Sequence, residues 1–279
     1  MLQFQNVEIH LRELKNLKTK KGRDETGLFI IEGEKFVQEI PHNWRIVSYI
    51  AAEHYASAHD LSQYEKRAKC QVVRDSIFQN ISDTKNPQGI LAVCEKKCFA
   101  LDLLSNSFSC ASSNLQEGLL NDASPGSFFL LGENLNDPGN IGALIRTAAA
   151  AGAKAVILTV GSGDIYNPKV LRAAAGATLR LPIIENADIA ETITNFQKHQ
   201  IPTYAAHPRG SILPYELNLQ QNFCFLVGNE SHGISATAAA LANTLVTLPM
   251  ANSTESLNAS VAGSILLYEA VRQRLGDGQ

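Results

Sequence analysis

"FFLLGENLNDPGNIGALIRTAAAAGAKAVILTV", residues 128–160, is the stretch that decides the fold. Two continuously apolar runs, FFLLG (128–132) and KAVILTV (154–160), flank a segment of helical character. Strands that read as unbroken hydrophobic runs are covered on both faces, and helices between them make the sheet parallel. Inside the helical segment Ile141, Leu144, Ile145 and Ala148 fall at i, i+3, i+4 and i+7 and form its buried stripe. Asp137-Pro138-Gly139 is a turn, and Asn140 is placed to cap the helix that follows. Arg146 points away from the stripe, one turn above a glycine-rich loop at a strand end.

Downstream the pattern repeats. RLPII (180–184), PTYAAH (202–207), FCFLVG (223–228) and TLVTLPM (244–250) are strand-like, with helical segments near 168–177, 187–199, 235–243 and 256–274. In a parallel sheet of this kind ligands gather beyond the carboxyl ends of the strands. Two more strand-end loops are rich in polar groups. GNESHG (228–233) sets Glu230 immediately after a buried strand, between glycines that let a ligand approach the backbone. Beyond LPM, Asn252, Ser253, Thr254, Glu255, Ser256, Asn258 and Ser260 crowd into a short run. Ser256 can cap a helix whose buried stripe is Leu257, Val261, Ser264, Ile265 and Tyr268, but capping explains one polar residue and not the rest. The surplus points to a ligand with many polar atoms.

Upstream, residues 1–98 read as shorter elements: a helix over 6–20, strands in GLFIIEG, WRIVSYIAA, CQVVR and GILAVCE, and helices near 34–40 and 53–68. This predicts a small α/β domain. Residues 99–127, rich in Ser, Asn and Gly, form the expected linker to a larger α/β domain over 128–279. The chain has 279 residues, 45% hydrophobic and 18% charged, a globular composition. Residues 1–98 carry 15 Lys and Arg against 13 Asp and Glu, the remainder 9 against 14. Total charge therefore does not imply nucleic acid, but Lys15, Lys18, Lys20, Lys21 and Arg23 lie close together. That run is either a solvated helix end or a phosphate contact. No apolar run has signal-peptide or membrane-spanning length, so the expectation is a soluble, cytoplasmic protein with no membrane partner.

Several chemistries find no support. There is no G-x-x-x-x-G-K-[ST] phosphate loop, no G-x-S-x-G elbow and no H-E-x-x-H pair. VGSGDIY begins like a dinucleotide fingerprint, but Tyr166 stands where the third glycine belongs. The five cysteines form no C-x-x-C and have no histidine cluster beside them, so no metal is expected.

Taken together, the three loops resemble the SpoU (TrmH) family of RNA ribose 2′-O-methyltransferases. Its first motif, N-x-G-x-x-x-R-T-A, is similar to NIGALIRTA (140–148), its second, G-x-E-x-x-G, to GNESHG, and its third to LPMANSTESLNAS (248–260). YNPKVLRAAAGATLRLP (166–182) also looks familial. More loosely, LKTKKGRDETGLFIIEGEKFVQEI (17–40) resembles the start of the ribosomal-protein-like RNA-binding domain that often precedes this catalytic domain.

The resemblance implies a parallel-sheet domain with a deep trefoil knot, S-adenosyl-L-methionine as cofactor, RNA as substrate (ribosomal before transfer RNA) and a homodimer through the knotted domain. By position, Gly228, Leu248 and Leu257 match cofactor contacts, with Asn229, Gly233 and Met250 as their neighbours. Asn140, Arg146, Glu230, Ser256 and Asn258 match the polar catalytic set. Lys15, Lys18, Lys20, Lys21 and Arg23 become the RNA-binding run. Asn252 stands where the family commonly has Gly, and Asn tolerates left-handed backbone better than most residues. Two other readings stay open: a non-catalytic RNA-binding protein with a degenerate knot, and a nucleotide-dependent oxidoreductase.

Overall fold

The computed structural model describes residues 11–99, 115–116, 126–252 and 256–275. Most of the expected linker, and Ser253 to Glu255 of the polar run, lie outside these residues. The chain divides into two compact units, one holding Met1–Lys96 and the other most of the remainder.

The first unit contains α1 (Leu11–Asn16), α2 (Lys20–Thr26), β1 (Leu28–Glu32), α3 (Glu34–Gln38), β2 (Ile46–Ala52), α4 (Glu53–Ala58), α5 (Ser62–Glu65), β3 (Cys70–Val73), α6 (Asp75–Ile81) and β4 (Ile90–Glu95). Its sheet runs β1-β4-β2-β3, antiparallel except for the β2–β3 pair. The two inner strands, β4 and β2, are the most deeply buried, whereas β1 alternates buried and half-buried positions as a one-sided edge strand does.

The helix expected over 6–20 is broken. Thr19 caps a second helix by accepting the Gly22 N–H at 3.1 Å. A side chain at Gly22 would meet Asn16 O at 2.1 Å, so only glycine lets the two helices approach this closely. Arg23, buried, donates to Leu17 O at 2.7 Å and satisfies a carbonyl left over where α1 ends. The polar helix expected over 53–68 is likewise two helices, because Asp60 turns the chain by accepting the Ser62 N–H and hydroxyl. Helix α6 is too short to leave a readable period in the sequence, which predicts neither strand nor helix there.

The second unit follows the reading more closely. After a two-residue pairing of β5 (Cys98–Phe99) with β6 (Leu115–Gln116), the chain continues through β7 (Phe128–Gly132), α7 (Pro138–Ala151), β8 (Ala155–Thr159), α8 (Pro168–Ala174), β9 (Ile183–Ala187), α9 (Ile189–Lys198), β10 (Thr203–Ala206), β11 (Phe223–Val227), α10 (Ala236–Leu241), β12 (Thr244–Val246) and α11 (Ala259–Leu275), with residues 166–171 alone grouping with the first unit. The six-stranded sheet has the order β12-β10-β11-β7-β8-β9 and every pair in it is parallel. All positions of β7, β8 and β11 are buried, the consequence of helices on both faces.

On one face Phe129, Leu131, Cys224 and Leu226 pack with Ile193 and Phe196 of α9 and Ala238 of α10. On the other lie α7 and α11. Gly263 of α11 approaches so closely that a side chain there would meet Leu144 Cδ2 at 2.5 Å and Val227 Cγ1 at 3.4 Å. At the far end of α11 the Arg274 guanidinium stacks over Phe128 at 4.5 Å and donates to Leu219 O at 2.9 Å.

Two boundaries differ from expectation. The strand predicted over 244–250 leaves the sheet after Val246, and Thr247 N–H bonds Ile212 O instead of a neighbouring strand. The helix predicted from 256 begins at Ala259. Its buried face is Ala259, Gly263, Leu266, Leu267 and Ala270, not the expected stripe; Leu257, Val261, Ile265 and Tyr268 are exposed.

Candidate active site

The site follows from strand order. Strands β11 and β7 are neighbours, but the chain leaves β7 towards β8 on one side and leaves β11 towards β12 on the other. Connections that depart in opposite directions open a crevice at the carboxyl ends, where ligands of open parallel sheets bind. The β7–α7 loop and the 228–235 loop border this crevice, and the chain leaves β12 after Val246 at the carboxyl ends of the same sheet.

One side chain joins all three. Asn140, in the first turn of α7, donates its Nδ2 to Glu230 Oε1 at 2.9 Å, and its Oδ1 accepts from Asn258 Nδ2 at 2.9 Å. Ser260 Oγ adds bonds to Asn140 Oδ1 at 3.3 Å and to Asn258 Oδ1 at 2.7 Å. Thus three of the five sequence-predicted catalytic residues form one hydrogen-bonded chain. Asn140 is free for this because it does not cap α7. Asp137 does, its Oδ1 accepting the Asn140 N–H at 2.8 Å. Likewise Asn258, not Ser256, caps α11: its Oδ1 accepts from Ser260 N and Val261 N, and its carbonyl accepts the first intrahelical bond, from Ala262 N.

Arg146 projects from the exposed side of α7, two turns beyond Asn140. Among the described residues no hydrogen bond or ion pair engages its guanidinium, so its donors are open to an anionic or hydroxylic ligand. Ser256 is exposed in the segment before α11.

The 228–235 loop closes on itself through reciprocal Asn229–Gly233 backbone bonds of 3.0 and 2.9 Å. A side chain at Gly228 would sit 2.2 Å from Gly233 C, so this position admits no other residue, while Gly233 has φ +69°. Asn229 is used structurally: its Nδ2 donates to Asn134 O at 2.8 Å and its Oδ1 accepts from Ser231 N and His232 N. Leu248 is half-buried, and Met250 and Leu257 are exposed at 39% and 36%, apolar surface beside the polar chain. Asn252 has φ +55°, left-handed backbone that Asn adopts more readily than most residues.

The exposed apolar groups and the glycine-rich backbone of these loops suit a flat purine with a hydrogen-bonding edge, and the Glu230–Asn140–Asn258 chain suits a polar, hydroxyl-bearing neighbour. A bound S-adenosylmethionine fits that donor set.

The model of the SpoU rRNA Methylase family matches residues 127–268. The chain belongs to this family. A second model, described as an MRM3-like substrate binding domain, matches residues 9–92. Among relatives, the 23S rRNA (guanosine(2553)-2′-O)-methyltransferase RlmP of Bacillus subtilis is 30% identical, over 92% of this chain and 94% of its own. A 23S rRNA (uridine(2479)-2′-O)-methyltransferase of Streptomyces viridochromogenes is 26% identical over 93% and 88%. A solved AdoMet-bound rRNA methyltransferase from Sinorhizobium meliloti has a TM-score of 0.76 at 25% identity, covering 94% of each chain. The three loops whose residues meet at Asn140 all lie within the matched range.

The basic run divides by environment. Lys15 is exposed in the last turn of α1. Lys20 and Lys21 stand in the first turn of α2, where the helix dipole disfavours them, and pair with Asp24 at 2.6 Å and Glu25 at 3.7 Å. Lys18 Nζ donates to Ser82 O at 2.6 Å and Asn80 O at 3.1 Å, pinning the start of the 82–89 loop. Arg23 is a correction to the expected RNA-binding set: its guanidinium is buried and spent on Leu17 O. The sequence could not separate these roles, because the break at Thr19 that turns Arg23 inward carries only a weak cap signal. Ser260, read from the sequence only as part of the polar run, and Asp137, read only as a turn residue, join the site residues; a D-P-G turn is itself a cap signature.

Proposed function

We propose that this protein transfers a methyl group from S-adenosyl-L-methionine to a ribose 2′-hydroxyl of RNA, with ribosomal RNA as the substrate. The observation that carries this reading is the Glu230–Asn140–Asn258 chain, which joins one residue from each of the three loops that resemble the SpoU motifs. The names of the relatives, acting on guanosine in one case and uridine in another, support ribose methylation of 23S rRNA and leave the base to specificity elements outside the shared chemistry.

The cofactor supplies an already activated methyl on a sulfonium. Gly228, Leu248 and Leu257, with Asn229, Gly233 and Met250 about them, hold it. The residues of the chain then have to position the ribose and manage its proton. A 2′-hydroxyl is a weak nucleophile until that proton is being removed. Arg146 is the clamp: a permanently charged fork that binds the neighbouring phosphate and stabilises negative charge developing on the 2′-oxygen. Glu230, Asn140 and Asn258 fix the orientation of one another, and Ser256 contributes a hydroxyl beside them.

The domain plan that goes with this is a substrate domain over 1–98, a linker over 99–127 and a catalytic domain over 128–279, with Lys15, Lys18, Lys20 and Lys21 near the RNA backbone. The match of residues 9–92 to a substrate-binding domain supports it. The return of α11 beneath α7, after the chain has reached β12 at the sheet edge, supports a trefoil knot. The exposed apolar stripe Val261, Ile265 and Tyr268 on α11 supports a homodimer through this domain. No helix among the described residues is long and apolar enough to cross a membrane; with ribosomal RNA as substrate, the cytoplasm is the proposed site of action.

Calorimetric titration with S-adenosylmethionine, followed by incubation with radiolabelled cofactor and total RNA, tests the reading. Binding with label in a ribosomal RNA band is expected. Binding without transfer to any RNA species or ribosomal particle, or no binding, overturns it.

A further inference from the structure

We propose that Glu133 is a positioning residue for this transfer, acting through the 228–235 loop upon Glu230; the inference rests on the methyltransferase reading. Glu133 is the first residue after β7, 8% exposed, in the middle of the switch-point crevice. Its backbone N–H bonds Val227 O at 2.9 Å, continuing the β7–β11 ladder one residue beyond the sheet. Its carboxylate reaches the far end of the neighbouring loop and accepts the Ser235 N–H at 2.8 Å, a charge-assisted bond at the residue that caps α10. A buried carboxylate costs free energy unless such bonds compensate it.

The next residue holds the near end of the same loop. Asn134, in left-handed backbone at φ +51°, presents its carbonyl to Asn229 Nδ2 at 2.8 Å, while Thr159 Oγ1 accepts its N–H at 2.9 Å. Left-handed geometry in a residue other than glycine is retained where surrounding contacts impose it, and such contacts concentrate at functional sites. Asn229 Oδ1 in turn accepts from Ser231 N at 2.8 Å and His232 N at 3.1 Å, and so sets the bend that carries Glu230. Consecutive residues of the β7 loop thus clasp the β11 loop at both ends, and Glu230, between the clasps, meets Asn140 at 2.9 Å. Neither Glu133 nor Asn134 belongs to the three motifs. Their part is to keep the second motif in register with the first.

The test uses full-length protein carrying Glu133→Ala or Glu133→Gln, alone and with Glu230→Ala. Misplacement of a catalytic group by a fraction of an ångström to an ångström costs up to about 100-fold in rate. Glu133→Ala is expected to lower kcat by about 10- to 100-fold with KM for RNA and affinity for S-adenosylmethionine within about 3-fold, and Glu133→Gln, which keeps an acceptor for Ser235 N–H, to restore most of it. In the Glu230→Ala background the same Glu133→Ala change is expected to cost less than about 2-fold, because residues acting as a unit are not additive. Full additivity in that background overturns the proposal. Hydrogen exchange supplies a readout without substrate: the Ser235 amide is expected to exchange faster in Glu133→Ala, and unchanged exchange overturns the clasp. Should Glu133→Ala fail to fold, Glu133→Asp, which keeps the carboxylate but draws it back from the Ser235 N–H by one methylene, is expected to give the same split between kcat and KM, and a wild-type kcat in that variant overturns the proposal. A wild-type protein that transfers no methyl group sinks the functional reading alone, since the exchange experiment still decides the clasp.

Discussion

Asn258 donates its side-chain amide to Oδ1 of Asn140 at 2.9 Å, across 118 residues of chain. This bond fixes which way round the Asn140 amide lies, because the other end of that amide must then be the donor that meets Glu230 Oε1.

Replacing Asn140 should therefore remove two links at once. Asn140→Ala is expected to reduce methyl transfer by about 100-fold or more while affinity for S-adenosylmethionine changes little, as read by single-turnover kinetics and calorimetry. Asn140→Asp is expected to be worse at neutral pH, since two carboxylates would then face each other, and to recover partly as pH falls and one of them takes up a proton. An activity that falls with acidification in that variant contradicts a donor at Asn140 facing Glu230.

Arg146 is exposed and unengaged among the described residues, so its removal should leave stability within about 0.5 kcal/mol while abolishing most transfer. Arg146→Lys is not expected to rescue, because a point charge cannot reproduce the planar fork. Thermal melts and methylation assays on the two variants check this; loss of cofactor affinity instead would assign Arg146 to the wrong ligand.

The stripe Val261, Ile265 and Tyr268 is exposed at 45%, 44% and 52%. Ile265→Glu is expected to convert a dimer into monomers in analytical ultracentrifugation with little change in the fold of the monomer. A wild-type protein that is already monomeric at micromolar concentration argues against the dimer.

The basic run should split in two. Arg23→Ala is expected to cost about 1–3 kcal/mol of stability, the loss of a buried charge-assisted bond, with no change in the salt dependence of RNA binding. Replacing Lys15, Lys20 and Lys21 by Ala should leave stability nearly unchanged and lower the slope of log affinity against log salt. Equal salt slopes for wild type and the triple variant would mean that these lysines meet only solvent and their acidic neighbours.

Burial pushes the Cys70 thiol up to about 11 and the Cys94 thiol up to about 12. The thiolate is the reactive form, so at pH 8 only about one Cys70 in a thousand is reactive, and alkylation should quicken about tenfold for each unit of pH. Mass-resolved labelling with iodoacetamide between pH 7 and 10 reads this directly. Rapid labelling of Cys70 at pH 7 would contradict its half-buried setting.

Much of the catalytic half could be read from the chain. Continuous apolar runs such as FFLLG and FCFLV have no wet face to leave a period of two, and that absence is itself the mark of a strand covered on both sides. Glu230 and Asn258 stood out as polar residues in loops after strands, whereas Asn140 read locally as a cap and drew a catalytic role only from the resemblance of NIGALIRTA to the SpoU motif. Less could be read where a helix meets neither a single core nor plain solvent. The α11 stripe Val261, Ile265, Tyr268 has the spacing of a buried face yet lies open, while the true core face is built from Gly263 and Ala270, too small to dominate a hydrophobic pattern.

The sequence by itself determined the parallel α/β class, the small leading α/β unit and the identity of the polar residues that line the strand ends, because periodicity and local hydrogen-bonding chemistry act over a few residues. Only the tertiary structure decided that Asp137 and Asn258 rather than Asn140 and Ser256 do the capping, that Arg23 turns inward, and that Glu133 and Asn134 clasp a loop some hundred residues away. These depend on contacts between segments far apart in the chain, and a contact of that kind leaves no local period to read.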